Sequence, residues 1–135
     1  CCGSGVGSKA LRGLNYSPVS YDNDPSLLTL GISSGRILPE EAMCIDGKVA
    51  TKYMGPRDYG VMLMAGTIDE SNSWVWERIV EQLLILTHIT LVTAGNNDEL
   101  ERVERFAKGM DRRVETFEND RDPFFDKWVA LISRD

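Results

Sequence analysis

The sequence predicts an α/β fold: an N-terminal irregular arm and β-hairpin, followed by a β-α-β-α-β-α unit with a mostly parallel three-layer sheet. Three observations carry this expectation. Val61-Met62-Leu63-Met64-Ala65 is an unbroken apolar run, as in a strand covered on both faces. Val75, Ile79, Leu83 and Leu86 then recur at helical spacing, with Glu77, Arg78, Glu81 and Gln82 opposite. A second β-branched run, Ile89-Thr90-Leu91-Val92-Thr93, follows. Strands alternating with helices imply parallel neighbours joined by right-handed crossovers.

In chain order, residues 1–25 read as an irregular arm. Gly3, Gly5, Gly7 and Gly13, with Pro18 and Pro25, leave little room for a helix or a central strand. Residues 26–135 read as one α/β domain, divided into a hairpin part (26–56) and the β-α-β-α-β-α part (57–135). Ser26–Ile32 is a strand candidate. Asp46-Gly47, between Met43-Cys44-Ile45 and Lys48-Val49-Ala50-Thr51, suits a two-residue type I′ hairpin turn. The first helix of the second part runs from Trp74 to Leu86, with Ser73 as its N-cap. The joint at Thr87-His88 is short, so that one long strand across it is the alternative. Asp98–Lys108 is a further helix, with Leu100, Val103, Ala107 and Met110 on one stripe and Gly109 as its stop. Val114–Phe117 is a short strand. Asp122-Pro123 then opens a last helix that places Phe124, Trp128, Leu131 and Ile132 on one face.

Composition narrows the function classes. The chain has 135 residues, 42% of them apolar and 27% charged, as expected for a soluble globular domain. No run approaches the length of a membrane-spanning helix. The formal charge is −6, and all surplus acid follows Gly60. That balance argues against a nucleic-acid partner, which needs a basic footprint. Three cysteines give neither a disulfide framework nor metal-ligand spacing, so no metal is expected. Cys1 suits either the lipid-bearing residue of a tethered protein or the end of a loose arm. The expected location is soluble, with the cytoplasm favoured and a processed N-terminus compatible with the sequence.

A parallel sheet would gather three polar turns at the carboxyl ends of its strands. They contain Gly66, Thr67, Asp69 and Ser73; then Thr93 and Asn96; then Glu118 and Asn119. Gly66, Thr67, Asp69, Ser73, Thr93, Asn96 and Asn119 are the candidate ligand-binding residues. Asp69 and Glu118 are the catalytic candidates, as an acid–base pair across a crevice. The same residue types also serve ordinary turns and caps. These turns match neither a P-loop nor a dinucleotide fingerprint, and no cofactor is expected. His88 reads as structural.

Ala65-Gly66-Thr67-Ile68-Asp69, with Ser73 and Trp76, resembles the opening of nucleoside 2-deoxyribosyltransferase-like proteins. Asn119, Arg121, Phe125 and Asp126 echo a second loop of that family. The resemblance implies a flavodoxin-like fold and a nucleoside pocket at Gly66–Asp69. The family's catalytic Glu segment has no counterpart here. Three functions are therefore in view. The favoured one is a non-catalytic interaction or assembly subunit with a protein partner or as a homo-oligomer. The alternatives are a nucleoside- or nucleotide-binding enzyme and a lipid-anchored protein tethered through Cys1.

Overall fold

The computed structural model describes residues 2–134. It is α/β and divides into two compact units, one ending at Gly47 and the other running from Lys48.

In the first unit, helix α1 (Val6–Gly13) precedes strand β1 (Ser20–Asp22), helix α2 (Pro25–Ser33) and strand β2 (Ala42–Cys44). The two strands pair in parallel, with Tyr21 opposite Met43. The Ile45 N–H extends the ladder by donating to the Asp22 carbonyl at 3.0 Å. Three expectations are corrected here. The arm is not irregular over its whole length, because Gly5 adopts φ 82° and its turn launches α1. Ser26–Ile32 is helical rather than extended. Asp24 caps α2, its carboxylate accepting from the N–H groups of Ser26 (2.8 Å) and Leu27 (3.4 Å), and Pro25 occupies the first turn. The hairpin does not form either. β2 pairs with β1, and Gly47–Lys52 is a 3₁₀ segment kinked at Val49.

The second unit holds β3 (Arg57–Met62), α3 (Ser73–Leu86), β4 (Thr87–Ala94), α4 (Asn97–Lys108), β5 (Arg113–Glu118) and β6 (Trp128–Ser133). Its four-stranded sheet has the order β3-β4-β6-β5. β3 and β4 are parallel, as expected, with Val61 opposite Leu91. β6 runs antiparallel to both neighbours, so the sheet is mixed. The helix expected from Asp122 is corrected to a turn followed by β6. The Asp122 carboxylate does cap the N–H groups of Phe124 and Phe125, at 3.1 and 3.0 Å. Continuing as helix would forfeit the ladders on both sides of Trp128–Ser133, and Val129, Ala130 and Ile132 are buried there.

The tight joint between α3 and β4 is real, and it needs no loop. The Thr87 hydroxyl donates to the Leu83 carbonyl at 2.8 Å. Arg112 and Arg134, from distant segments, donate to the carbonyls of Leu84 (2.5 Å) and Ile85 (2.7 Å). The last-turn acceptors of α3 are thus satisfied where no helix continues. Gly60 lets β3 approach this joint, since a Cβ there would stand 2.8 Å from Thr87 Cγ2. Helices α3 and α4 pack against each other and against the sheet. Val80, Leu84, Val92, Val103, Ala107 and Ile132 form the core beneath them.

The lipid tether expected at Cys1 falls outside the described residues. No helix among the described residues is long and apolar enough to cross a membrane.

Candidate functional site

The most specific local geometry lies in the first unit, where the chain reads Gly3-Ser4-Gly5-Val6-Gly7 and enters α1. Gly3 and Gly5 both have positive φ, 53° and 82°. Gly5 cannot carry a side chain, because a Cβ would meet Ile37 Cγ1 at 2.3 Å. Gly31 is as tightly placed, its missing Cβ facing Ile37 Cδ1 at 2.6 Å and the Ser4 carbonyl oxygen at 3.0 Å. At Gly3 the same construction meets nothing within 4 Å, so the loop borders open space there.

Hydrogen bonds attach this loop to the carboxyl end of β1. The Cys2 N–H donates to the Tyr21 carbonyl at 2.8 Å, and the Gly3 N–H donates to the Asp22 carboxylate at 2.9 Å. The other Asp22 oxygen accepts from the Asp24 N–H at 3.0 Å. Asp22 is buried, yet a carboxylate has about four acceptor positions, and these two bonds use two of them. Ser8 at the start of α1 shares a buried hydroxyl–hydroxyl bond of 2.6 Å with Ser20 on β1. Among the described residues, no side chain caps the first turn of α1, whose N–H groups carry the positive end of the helix dipole. Beside the loop, burial pushes the Cys2 thiol upward and the Tyr21 phenol up to about 12. The ends of β1 and β2 lead into Asp22-Asn23-Asp24 and Ile45-Asp46, so acids follow both parallel strands at the same end.

The second unit contains the residues nominated from sequence. β3, β4 and β5 point the same way, because β6 is antiparallel to both β4 and β5. Ala94 and Glu118 both stand opposite Trp128. The three turns after β3, β4 and β5 therefore share one rim of this unit. Gly66 has φ 87°, and a Cβ there would lie 3.3 Å from the Trp76 ring. The Thr67 carbonyl accepts from the Asn72 side chain at 2.7 Å. Asp69 closes its own turn, accepting from the Ser71 N–H (2.8 Å), the Ser71 hydroxyl (2.6 Å) and the Asn72 N–H (3.2 Å). The Ser71 hydroxyl is the main reason that the Asp69 carboxyl is held below its ordinary pKa. Ser73 is the first residue of α3, and Asn72 precedes it as N-cap. Asn96 caps α4 through the Glu99 N–H at 2.9 Å.

Glu118 pairs with Lys127 at 3.3 Å. Among the described residues, no hydrogen bond or ion pair joins Glu118 to Asp69. Thr93 and Asn119 instead converge on Asp126. The Thr93 hydroxyl donates to Asp126 Oδ1, and Asn119 Nδ2 donates to the Asp126 carbonyl at 3.3 Å. Glu99 was not foreseen. It is buried between two turns, accepting from the N–H groups of Ile68 (3.4 Å) and Gly95 (3.0 Å). No cluster of His, Cys, Asp or Glu suited to a metal occurs among the described residues.

No family model matches the sequence, and no curated protein is similar to it in sequence. Solved structures do share its fold. An rRNA methylase from Streptococcus thermophilus is 12% identical, with a TM-score of 0.71 over 99% of this chain and 82% of that one. A candidate rRNA methylase from Clostridium thermocellum is 16% identical, with a TM-score of 0.71 over 98% and 84%. A TehB-like SAM-dependent methyltransferase from Corynebacterium glutamicum is 19% identical, with a TM-score of 0.66 over 98% and 75%. At these identities the likeness establishes the fold, which is of the Rossmann-like α/β type.

These neighbours overturn two expectations. The resemblance to nucleoside 2-deoxyribosyltransferases is not supported. The Gly66–Asp69 turn that carried it is accounted for by the Asp69 turn and by Trp76 against Gly66. The non-catalytic assembly subunit, with its nucleoside-handling alternative, is corrected as well. The shared fold is that of proteins described as methyltransferases. The signal that sequence reading missed was Gly3-Ser4-Gly5-Val6-Gly7 opening a helix, with Asp22 placed 19 positions after Gly3. Read without a strand in front of them, those glycines looked like a linker.

Proposed function

We propose that the chain is a methyltransferase domain whose first unit binds S-adenosylmethionine at the Gly3–Gly5 loop. The observation that carries this reading is the Gly3 N–H bonded to Asp22 beside open space. In Rossmann-type sheets, a glycine turn brings backbone close to the ligand, and an acid at the next strand end accepts from ribose hydroxyls. Both parts are present and tied together here.

The residues fit the ligand chemically. The absent side chain at Gly3 leaves room against the backbone. The uncapped first turn of α1 suits the ligand's carboxylate. The remaining acceptor positions of Asp22 suit the ribose diol. The bound ligand supplies an electrophilic methyl group on a sulfonium. Gly3 and Gly5 shape the loop, Asp22 orients it, and the Ile37 side chain fills the space under Gly5 and Gly31. Two neighbours are described as rRNA methylases, and beside them the expectation that net charge excludes nucleic acid has no support.

The test is calorimetric titration of the chain with S-adenosylmethionine and S-adenosylhomocysteine. Saturable binding of both is expected. Asp22→Ala should weaken it by tenfold or more, about the loss that follows removal of a charged hydrogen-bond acceptor. Circular dichroism would confirm that the variant is folded. No binding of either compound by the folded wild-type chain would refute the reading.

A further inference from the structure

Met64 is a non-glycine residue at φ 45°, immediately after β3, and its side chain is exposed. Such a conformation is sparsely populated and persists only where surrounding bonds hold it. The Met64 N–H donates to Thr93 Oγ1 at 2.9 Å and to Asp126 Oδ1 at 3.2 Å. Thr93 is buried, and its own hydroxyl donates to that same Asp126 oxygen. Asp126 Oδ1 is thus occupied twice by groups that lock two turns together. Asp126 Oδ2 receives no hydrogen bond or ion pair from any described residue, and Asp126 is only partly buried.

The two residues before Asp126 are aromatic and unusually open: Phe124 is 78% exposed and Phe125 60%. Their backbone is not loose. Asp122 caps both N–H groups, and Asn119 bonds the Asp126 carbonyl. The result is a braced turn that carries two exposed phenylalanines and Asp126 in succession, with Asp126 bonded to the backbone of exposed Met64. It lies at the carboxyl-end rim of β3 and β4, where open α/β sheets take their ligands. A carboxylate oxygen next in the chain to two exposed aromatic residues suits a flat apolar body whose edge carries a hydrogen-bond donor. A ring bearing only acceptors would face lone-pair repulsion there.

We infer that Asp126, with Phe124, Phe125 and Met64, binds a small planar heteroaromatic ring whose N–H donates to Asp126 Oδ2. Asp126 acts as a specificity residue that orients the ring. Thr93 and Asn119 act as positioning residues that hold it.

The probes are indole and 1-methylindole, in which a methyl group replaces the N–H donor. Binding to the full chain is followed by the methyl resonance of ¹³C-labelled Met64. Indole should shift that resonance, and 1-methylindole should bind about tenfold more weakly, in line with the loss of a hydrogen bond to a charged acceptor. Asp126→Asn retains an oxygen for Met64 and Thr93 but turns the outer atom into a donor. It should abolish the preference while leaving S-adenosylmethionine affinity unchanged. Phe125→Ala should weaken both probes about tenfold, the scale of losing one stacked aromatic face. Equal binding of the two probes, or no shift of the Met64 resonance at saturating indole, would overturn the inference. The selective response without any S-adenosylmethionine binding would keep this site and remove the methyltransferase reading instead.

Discussion

The Gly3 N–H donates to the Asp22 carboxylate at 2.9 Å, which fastens the turn before α1 to the end of β1. This one bond makes a glycine-rich segment into a defined surface. It also explains why Asp22 is tolerated as a buried acid, since both of its oxygens accept backbone N–H groups.

The first prediction concerns Gly5. Gly5→Ala meets two separate penalties: a positive φ and a contact with Ile37 that real Cβ atoms do not make. Destabilisation of about 2–4 kcal/mol in urea unfolding is expected. Adding Ile37→Ala should not restore stability, because the conformational penalty persists and a cavity is opened. Full recovery in the double variant would show that crowding alone matters.

Glu99 offers a second test. Its two oxygens hold the turns after β3 and β4 through Ile68 and Gly95. Glu99→Gln replaces one acceptor by a donor that faces an N–H group. A loss of about 1–3 kcal/mol is expected, with faster hydrogen exchange at Ile68 or Gly95. Unchanged exchange at both positions would contradict this role.

Gln82 is buried in α3, and its Oε1 accepts from the Thr51 N–H (3.1 Å) and hydroxyl (2.6 Å). Gln82→Leu strands both donors. It should cost about 1–3 kcal/mol and loosen residues 47–52 selectively, as seen by limited proteolysis. Cleavage sites identical to wild type would argue against the contact.

Tyr21 gives a pH dependence. Its phenol pKa is pushed up from 10.0 to about 12, first by burial and then by Cys2. The folded state therefore holds this proton more tightly than the unfolded state. The associated stability is fully present below about pH 10 and is lost as pH rises towards about 12. Tyr21→Phe should leave stability at neutral pH nearly unchanged and reduce the alkaline fall by on the order of 2 kcal/mol. An alkaline unfolding profile identical to wild type would rule this out.

Much of the second unit is legible in the sequence because its signals are local. The apolar spacing through Leu86, the β-branched run after it and the stripe Leu100-Val103-Ala107 all lie within one element each. Parallel pairing of β3 with β4, and the gathering of three turns at one rim, follow from that alternation. The residues from Trp128 onward are different. Their helical and extended patterns are equally good locally, and ladders from β4 and β5 on both sides decide for a strand.

The N-terminal unit divides in the same way. Composition alone determined that Gly3, Gly5 and Gly7 would free the backbone, whereas Ser26–Ile32, expected as a strand, is a helix capped by Asp24. Whether that freedom meant slack chain or a shaped loop was decided by partners far along the chain: Asp22 for the Gly3 N–H, and Ile37 for the space beneath Gly5 and Gly31. Likewise, Asp126 is an ordinary turn acid until Thr93 and Met64 both engage one of its oxygens. Periodicity and capping act over a few residues and can be read in order. Hydrogen bonds and close packing between distant residues exist only after folding, and they set the candidate sites here.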